Sequence, residues 1–256
     1  MGLRRIYAVL WLHAVRTKRL SWNLVDYSAS MFLWAAINTL MLLAIFGVEL
    51  GARLSVVVIP WLYYTVGLAT TAGWINYYVA SGMPDYELHL GHNPVATVAG
   101  RIVTSAAAAT PPAIAAALAL EALGAHPDPA LLAASAALAL LVGHSYGLLL
   151  TALGASQGVP GSMLDILGYA SGLFGGLLIP LYYFPPWLRA AALATPLAPL
   201  GELARASVPG NPLVLDAGHA LAYTAAWIAA LYAAAALAAK GFESRARRTG
   251  IRITRY

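Results

Sequence analysis

Residues 24–46 read LVDYSASMFLWAAINTLMLLAIF, and this stretch decides the fold class of the chain. It contains one charged side chain, Asp26, which lies close to its beginning. A helix needs about 20 consecutive apolar residues to cross the hydrocarbon core of a bilayer, and this run is long enough to do so. The stretch therefore predicts a transmembrane helix.

Five further apolar runs of similar length follow. They lie at 55–80, 95–120, 131–155, 163–184 and 213–239. Hydrophobic residues make up 61% of the chain and charged residues 10%, whereas soluble domains have about 45–50% and about 25%. The alternative is a soluble helical bundle, but so few charged side chains cannot cover six such helices in water. We therefore predict a single domain, 1–256, that is an all-α integral membrane protein with a six-span bundle at 24–239.

Basic residues are concentrated at the two ends of the chain. Eleven of the fifteen are Arg4, Arg5, Arg16, Lys18, Arg19, Lys240, Arg245, Arg247, Arg248, Arg252 and Arg255. An excess of Lys and Arg marks the cytoplasmic side of a membrane, so both termini are predicted to be cytoplasmic, with 240–256 as a basic tail. The predicted location is the plasma membrane, with connectors 47–54, 121–130 and 185–212 facing outward. Because the net charge of +5 comes from these flanking bases, no nucleic-acid partner is predicted.

Residues 1–21 precede the first span and have an amphipathic pattern. On a helical wheel one stripe is formed by Leu3, Ile6, Tyr7, Leu10 and Ala14, and the opposite side by Arg5, Arg16 and Arg19. This pattern predicts a helix that lies along the cytoplasmic membrane surface. A solvated basic anchor is the alternative.

One short stretch of the chain matches a catalytic motif. Residues 143–147 read GHSYG and match the G-x-S-x-G pattern of serine hydrolases, which functions only on a strand-to-helix turn. Here the motif lies inside an apolar helical run, so Gly143 and Gly147 are interpreted as helix-packing residues. The chain has no cysteine and no G-x-x-x-x-G-K-[ST] run that would bind ATP. We predict no catalytic residue and no enzyme activity in this chain.

One connector, 81–94, carries four side chains with oxygen or nitrogen atoms suited to zinc or manganese. They are Asp85, Glu87, His89 and His92. Nothing in their spacing fixes them around one point, so no metal site is predicted. The fifth predicted span has a different pattern, since Gly168, Gly172 and Gly176 recur at every fourth residue. Small residues at this spacing favour close helix packing or a dimer contact in lipid.

The segment from the fifth span onward carries a family signature. Ser171-Gly172 leads to Pro180 and to Pro185-Pro186-Trp187-Leu188, and later come Pro196-Leu197, Glu202 and Arg205. This resembles the permease subunits of type-2 ABC transporters, whose signature reads approximately S-G-x-x-x-P, then P-x-W-L, then P-L with an arginine nine residues after that proline. The six spans, the first helix and the basic tail resemble this family along the whole chain.

The same segment has a physical interpretation of its own. Pro180 and Pro185 are expected to break the helix near the outer surface, and Trp187 is suited to the headgroup region. A short helix that re-enters the outer leaflet would follow and close the outer end of a pathway. The predicted outer gate comprises Pro180, Pro185, Trp187, Pro196, Glu202 and Arg205. A long external loop with an aromatic anchor is the alternative.

The resemblance implies the membrane-spanning subunit of an ATP-driven exporter. Two copies of the chain would assemble with two copies of a separate ATP-binding subunit, which would bind ATP and Mg, so no cofactor is expected in this chain. The implied cargo is hydrophobic or amphipathic: a drug-like compound, a lipid or a lipid-linked glycan. Aromatic side chains that offer contacts to cargo, or face lipid instead, are Trp34, Tyr63, Tyr64, Trp74 and Tyr169. An integral-membrane lipid-modifying enzyme and a stand-alone channel or secondary transporter are the alternatives.

Connector 81–94 is the predicted docking point for the ATP-binding subunit. It carries Asp85 and Glu87 on a face where bases are expected, and such charges can pair with a basic partner. Permeases of this family often have a G-T-L-E-x-L-L stretch here, followed by a proline. The residues of this chain that match it loosely are Gly82, Glu87, Leu88, Leu90 and Pro94. An ordinary hydrated turn is the alternative.

Overall fold

A computed structural model describes residues 3–19, 21–154, 159–176 and 179–249, and in these residues it contains helices and no β-strand. The helices are α1 (Leu3–Arg19), α2 (Ser21–Phe46), α3 (Val48–Leu54), α4 (Val58–Ala80), α5 (Met83–His89), α6 (Pro94–Val98), α7 (Ile102–Ala122), α8 (Pro129–Gly154), α9 (Gly161–Phe174), α10 (Pro186–Leu193), α11 (Leu197–Ala206) and α12 (Ala217–Thr249). Short 3-10 turns at Ser55–Val57 and Ala99–Arg101 make α3–α4 and α6–α7 nearly continuous.

Five helical stretches are long and apolar enough to cross a membrane. They are Val25–Phe46, Val48–Ala80, Pro94–Ala122, Pro129–Gly154 and Ala217–Ala246. The prediction of an all-helical, multi-pass membrane protein is confirmed at this level. The second stretch begins earlier than the predicted 55–80, because α3 and a 3-10 turn lead directly into α4.

The fifth predicted span, 163–184, is not one long helix. Its helical part is α9, whose 14 residues extend about 21 Å at 1.5 Å per residue, less than the hydrocarbon thickness of about 30 Å. The helix ends at Phe174 with Gly175 as its C-cap, and Gly176 follows with a left-handed φ of 71°, a conformation that glycine adopts without steric cost. The count of six spans therefore stays a prediction.

Helices α1, α5, α6 and the end of α12 meet at one end of the bundle, which we call the terminal end. His13 of α1 hydrogen bonds through Nε2 to the Thr97 carbonyl at 3.0 Å. Phe242 of α12 packs against Leu88 of α5. The first described helix and the C-terminal end of the last one thus lie at the same end, as a topology with both termini inside requires. The identity of that side stays a prediction.

Helix α3 and the loops before α8 and α12 meet at the opposite end. There the Asp128 N–H donates to the Ser207 carbonyl at 2.6 Å, and the Asn211 side chain donates to the Arg53 carbonyl at 3.2 Å. Helix α9 joins the two ends. It starts just after Val159, whose backbone hydrogen bonds to Asn76 near the terminal end of α4.

The face of α1 that packs on the bundle differs from the predicted apolar stripe. His13 and Val9 contact Gly100, where an added Cβ would collide with both side chains. Tyr7, from the predicted stripe, is 68% exposed and stacks on Trp11. An aromatic face of α1 therefore points away from the protein, and its position on the membrane surface stays a prediction.

Helices α4 and α8 form the tightly packed centre of the bundle. A Cβ added to Gly143 would lie well inside van der Waals contact of the Tyr64 carbonyl oxygen, and one added to Gly147 would lie 2.6 Å from Cβ of Thr71. Across the seam, a Cβ on Gly67 would lie 3.0 Å from the backbone of α8. The interpretation of Gly143 and Gly147 as packing residues is confirmed, because only glycine lets these backbones approach so closely.

The polar side chains of the GHSYG motif are used within this packing. His144 Nδ1 lies 2.9 Å from Thr71 Oγ1 of the neighbouring helix. Ser145 Oγ donates instead to the Val142 carbonyl of its own helix at 2.8 Å and is fully buried. The serine and histidine form no nucleophile–base pair, so the motif is structural.

Side-chain caps fix where two of the long helices begin. Asp128 Oδ1 accepts hydrogen bonds from the backbone N–H groups of Ala130 and Leu131 at the start of α8. Asp216 accepts one from the His219 N–H at 3.0 Å at the start of α12. The His219 backbone and ring together hold the pKa of the Asp216 carboxyl below its usual range. Such caps satisfy donors that the first helical turn leaves unpaired.

Candidate functional site

The predicted docking connector at the terminal end is a short helix anchored on its inner side. Gly82 has a φ of 71° and starts α5, and Leu88 is buried against Phe242 of α12. Glu87 Oε2 accepts a hydrogen bond from Thr97 Oγ1 at 2.9 Å. These contacts tie α5 to the bundle, so a displacement of α5 reaches α12 directly.

The turn after α5 provides a second anchor. Asn93 caps α6 by accepting from the Val95 N–H at 2.9 Å, and its side-chain amide donates to Glu243 Oε2 of α12 at 2.9 Å. Pro94 follows as the first residue of α6 and is buried. Pro94 therefore has a packing role within the connector, while the side chain of Asp85 lies outside the described residues.

The outer side of α5 carries apolar side chains that the described residues leave partly exposed. Met83, Tyr86 and Leu90 are 40%, 60% and 56% exposed. Their spacing of three and four residues places them on one face of the helix. Leu90 was predicted from the sequence, whereas Met83 and Tyr86 were missed, although the same spacing is visible in the sequence. A contiguous exposed apolar face is typical of a protein contact.

At the opposite end, the predicted gate contains a buried ion pair. Arg205 and Glu202 of α11 lie 3.0 Å apart, and each side chain is 1% exposed. Arg205 Nη2 also donates to the carbonyl of Gly176, immediately after α9. Gly201 lets α11 approach this turn, because a Cβ there would collide with the Gly175 carbonyl.

The carboxylate of this pair holds the chain that leads into the last helix. Glu202 Oε2 accepts hydrogen bonds from the Val214 and Leu215 N–H groups at 2.5 and 3.3 Å. Glu202 and Arg205 therefore join three segments: the end of α9, helix α11 and the loop before α12. Burial makes this ion pair sensitive to substitution, because loss of either charge leaves the other one unpaired and shielded from water.

The prolines and the tryptophan of the predicted gate start its two short helices. Pro185 precedes α10, and Pro196 precedes α11. Pro180 is buried and precedes a 3-10 turn at Leu181–Tyr183. Trp187 is 73% exposed, as expected for a side chain at a membrane interface. The re-entrant position of these helices in the membrane stays a prediction.

A groove between α2, α4 and α9 is a further candidate site, whose outline the sequence did not predict. Its cavity volume is about 350 Å³, within the roughly 300–1,000 Å³ typical of small-molecule sites. Its walls include the aromatic rings of Trp34, Trp61 and Tyr169, together with the carboxylate of Asp165. Two of the aromatic residues proposed from the sequence as cargo contacts, Trp34 and Tyr169, thus come together here.

The glycine ladder contributes to this groove. Gly168 and Gly172 lie on α9 and line it, and a Cβ on Gly168 would meet no other described atom within 4 Å. Gly176 lies beyond the helix in the turn held by Arg205. The three glycines therefore do not share one helix face, and their role in a dimer contact stays a prediction.

Comparison of the chain with known proteins gave no match to a family model and no match to a curated protein.

Proposed function

We propose that this chain is the membrane-spanning subunit of an ATP-driven exporter of the type-2 ABC class. It works as a homodimer with two copies of a separate subunit that binds ATP and Mg. The observation that carries this proposal is the combination found in α5: a firmly anchored inner side and an exposed apolar outer face formed by Met83, Tyr86 and Leu90. Such a helix can bind a partner on one side and pass its movement to the bundle on the other.

The terminal end faces the cytoplasm in this proposal. Basic residues cluster in α1 and in the last turns of α12, and both helices lie at that end. Bases near span ends are retained on the cytoplasmic side. Helix α9 then provides the sixth crossing, which returns the chain from the terminal end to the opposite end before α12. The membrane is the plasma membrane.

Single cysteines at the two ends should distinguish this orientation from its reverse. Lys18→Cys and Arg248→Cys, at exposed positions of α1 and α12, are expected to resist a membrane-impermeant thiol reagent in intact cells. Glu49→Cys and His126→Cys, at exposed positions of the opposite end, should react. The chain has no native cysteine, so the unsubstituted protein measures the background labelling. Labelling at 18 or 248 from outside would reverse the orientation.

Substitution on the exposed face of α5 should separate docking from folding. Tyr86→Asp places a charge at the centre of the proposed contact without touching the anchors Leu88 and Glu87. Recovery of vanadate-sensitive ATP hydrolysis with the tagged chain should fall at least about tenfold, the effect expected when a contact residue worth about 2 kcal/mol is lost. The measurement is ATP hydrolysis per mole of purified permease from native membranes.

Tyr182→Asp is the matched control for this substitution. Tyr182 is 55% exposed, close to the 60% of Tyr86, but it lies at the opposite end. It should leave ATPase recovery unchanged. Equal recovery with both variants would remove α5 as the docking point. Absence of ATPase from the wild-type preparation would favour a channel or secondary transporter that works alone.

A further inference from the structure

We propose that the groove between α2, α4 and α9 binds hydrophobic organic cations, with Asp165 as the residue that selects the charge. This deepens the proposed function, on which it rests, because it names the charge class of the cargo. The argument uses the shape of the groove, the position of its one carboxylate and the aromatic surfaces around that carboxylate.

The groove has free space beside a glycine of α9, whereas the corresponding space beside a glycine of α8 is filled by the neighbouring helix. A Cβ on Gly168 would meet no described atom within 4 Å, whereas Gly143 on α8 has no room for one. The missing side chain at Gly168 therefore creates space rather than helix contact. Leu68 and Ala69 of α4 lie among the lining residues, and their apolar surface suits an apolar body in this space.

Asp165 gives the groove its electrostatic character. Among the described residues that line the groove, it is the one with a charged side chain. It lies in the second turn of α9 and is exposed, and within the described part of the chain no basic side chain forms an ion pair with it. Asp165 lies near the start of α9, and an ionisable side chain on a helix of a membrane bundle is a candidate site for a partner of opposite charge.

Aromatic rings complete a surface suited to a diffuse positive charge. Tyr27 and Trp34 of α2 lie on one side of the groove and Tyr169 of α9 on the other. Trp34 and Tyr169 are 43% and 67% exposed, so their surfaces are available to a ligand. Aromatic faces attract organic cations such as quaternary ammonium groups. A ligand with an apolar body and a delocalised positive charge therefore matches both the walls and the carboxylate.

Two ions of the same shape and opposite charge test this inference. Tetraphenylphosphonium and tetraphenylborate are nearly equal in size, so a difference in their binding reports charge selection. The chain, purified in an uncharged detergent, is dialysed to equilibrium against each ion, and the uptake of empty micelles is subtracted. Wild-type protein is expected to bind the cation about tenfold more tightly than the anion.

Asp165→Asn should remove this preference without changing the shape of the groove. Binding of the cation should fall about tenfold, with little change for the anion. Asp26→Asn is the matched control, since Asp26 is also exposed and adjoins Tyr27 in sequence but does not line the groove. It should leave both ions unaffected. Gly168→Leu, which adds bulk where there is room, should weaken binding of the cation about tenfold.

Each alternative outcome overturns the inference. Equal binding of the two ions, or equal effects of Asp165→Asn and Asp26→Asn, would show that Asp165 selects nothing. Unchanged binding in Gly168→Leu would place the ion elsewhere. Binding of neither ion would show that the groove is not a site for hydrophobic organic cations. The assay contains neither ATP nor an ATPase, so its failure is distinct from failure of the proposed exporter function.

Discussion

Arg205→Met is expected to destabilise the protein by about 3–5 kcal/mol, the usual result of breaking a buried ion pair from one side. Methionine has a flexible, unbranched side chain that is shorter than that of arginine and carries no charge. The substitution leaves the Glu202 carboxylate, 1% exposed, without its counter-charge. It also leaves the Gly176 carbonyl without its donor. The free energy of unfolding, measured by SDS titration in mixed micelles with helical circular dichroism, reports the loss.

Arg53→Met provides the control on a second Arg–Glu pair of the same end. Arg53 and Glu49 lie 2.8 Å apart, but their side chains are 36% and 84% exposed, so the expected loss is about 0–1 kcal/mol. The double variant Glu202→Gln/Arg205→Met should recover part of the stability, because no unpaired charge remains and glutamine still accepts from the Val214 N–H. Equal losses of unfolding free energy for Arg205→Met and Arg53→Met would contradict the conclusion that burial makes the Glu202–Arg205 pair important for stability.

Gly143→Ala is expected to destabilise the protein by about 2–3 kcal/mol. The added Cβ collides with the Tyr64 carbonyl, which belongs to a helix backbone and cannot rotate away. Helices α4 and α8 must separate, and overpacking of this kind costs about 1–3 kcal/mol. The same unfolding measurement, with monodispersity after heating as a second readout, tests the size of the effect.

Gly168→Ala should instead increase the free energy of unfolding. It is the same substitution inside a helix, but the new Cβ has open space around it. Alanine is favoured over glycine in a helix interior by up to about 1 kcal/mol, so a small gain in stability is expected. If both substitutions destabilise equally, close approach of α4 and α8 is not what distinguishes Gly143.

The fold could be predicted wherever the determinant is local in sequence. Run 24–46 corresponds to Val25–Phe46, and run 131–155 corresponds to Pro129–Gly154, because length and hydropathy alone define a membrane-spanning helix. The end of α9 could not be predicted in this way. The glycines near it fit a helical repeat, and the contact that holds the turn comes from Arg205, 29 residues further along the chain.

The candidate sites, too, could be predicted only where their determinants are local in sequence. Glu202 and Arg205 were selected by resemblance, yet the partners that explain them, Gly176, Val214 and Leu215, depend on how separate segments meet. The groove is formed by residues of α2, α4 and α9, which are far apart in the sequence and come together only in the fold. Trp34 and Tyr169 were named from the sequence as possible ligand contacts, but their position on either side of Asp165 could not be predicted. Local patterns predict which helices form, whereas the sites depend on which helices become neighbours.

Substitutions at Gly168 and at Gly143 affect different properties of the protein: groove shape at Gly168 and folding at Gly143. A larger residue at Gly168 changes the shape of the groove and leaves the packing of the bundle intact, because the new atoms enter empty volume. At Gly143 a larger residue collides with the backbone of α4 and therefore destabilises the fold. Descendants of this chain can therefore vary the shape of the groove by substitution at Gly168 while they inherit an unchanged scaffold, with no loss of stability on the way.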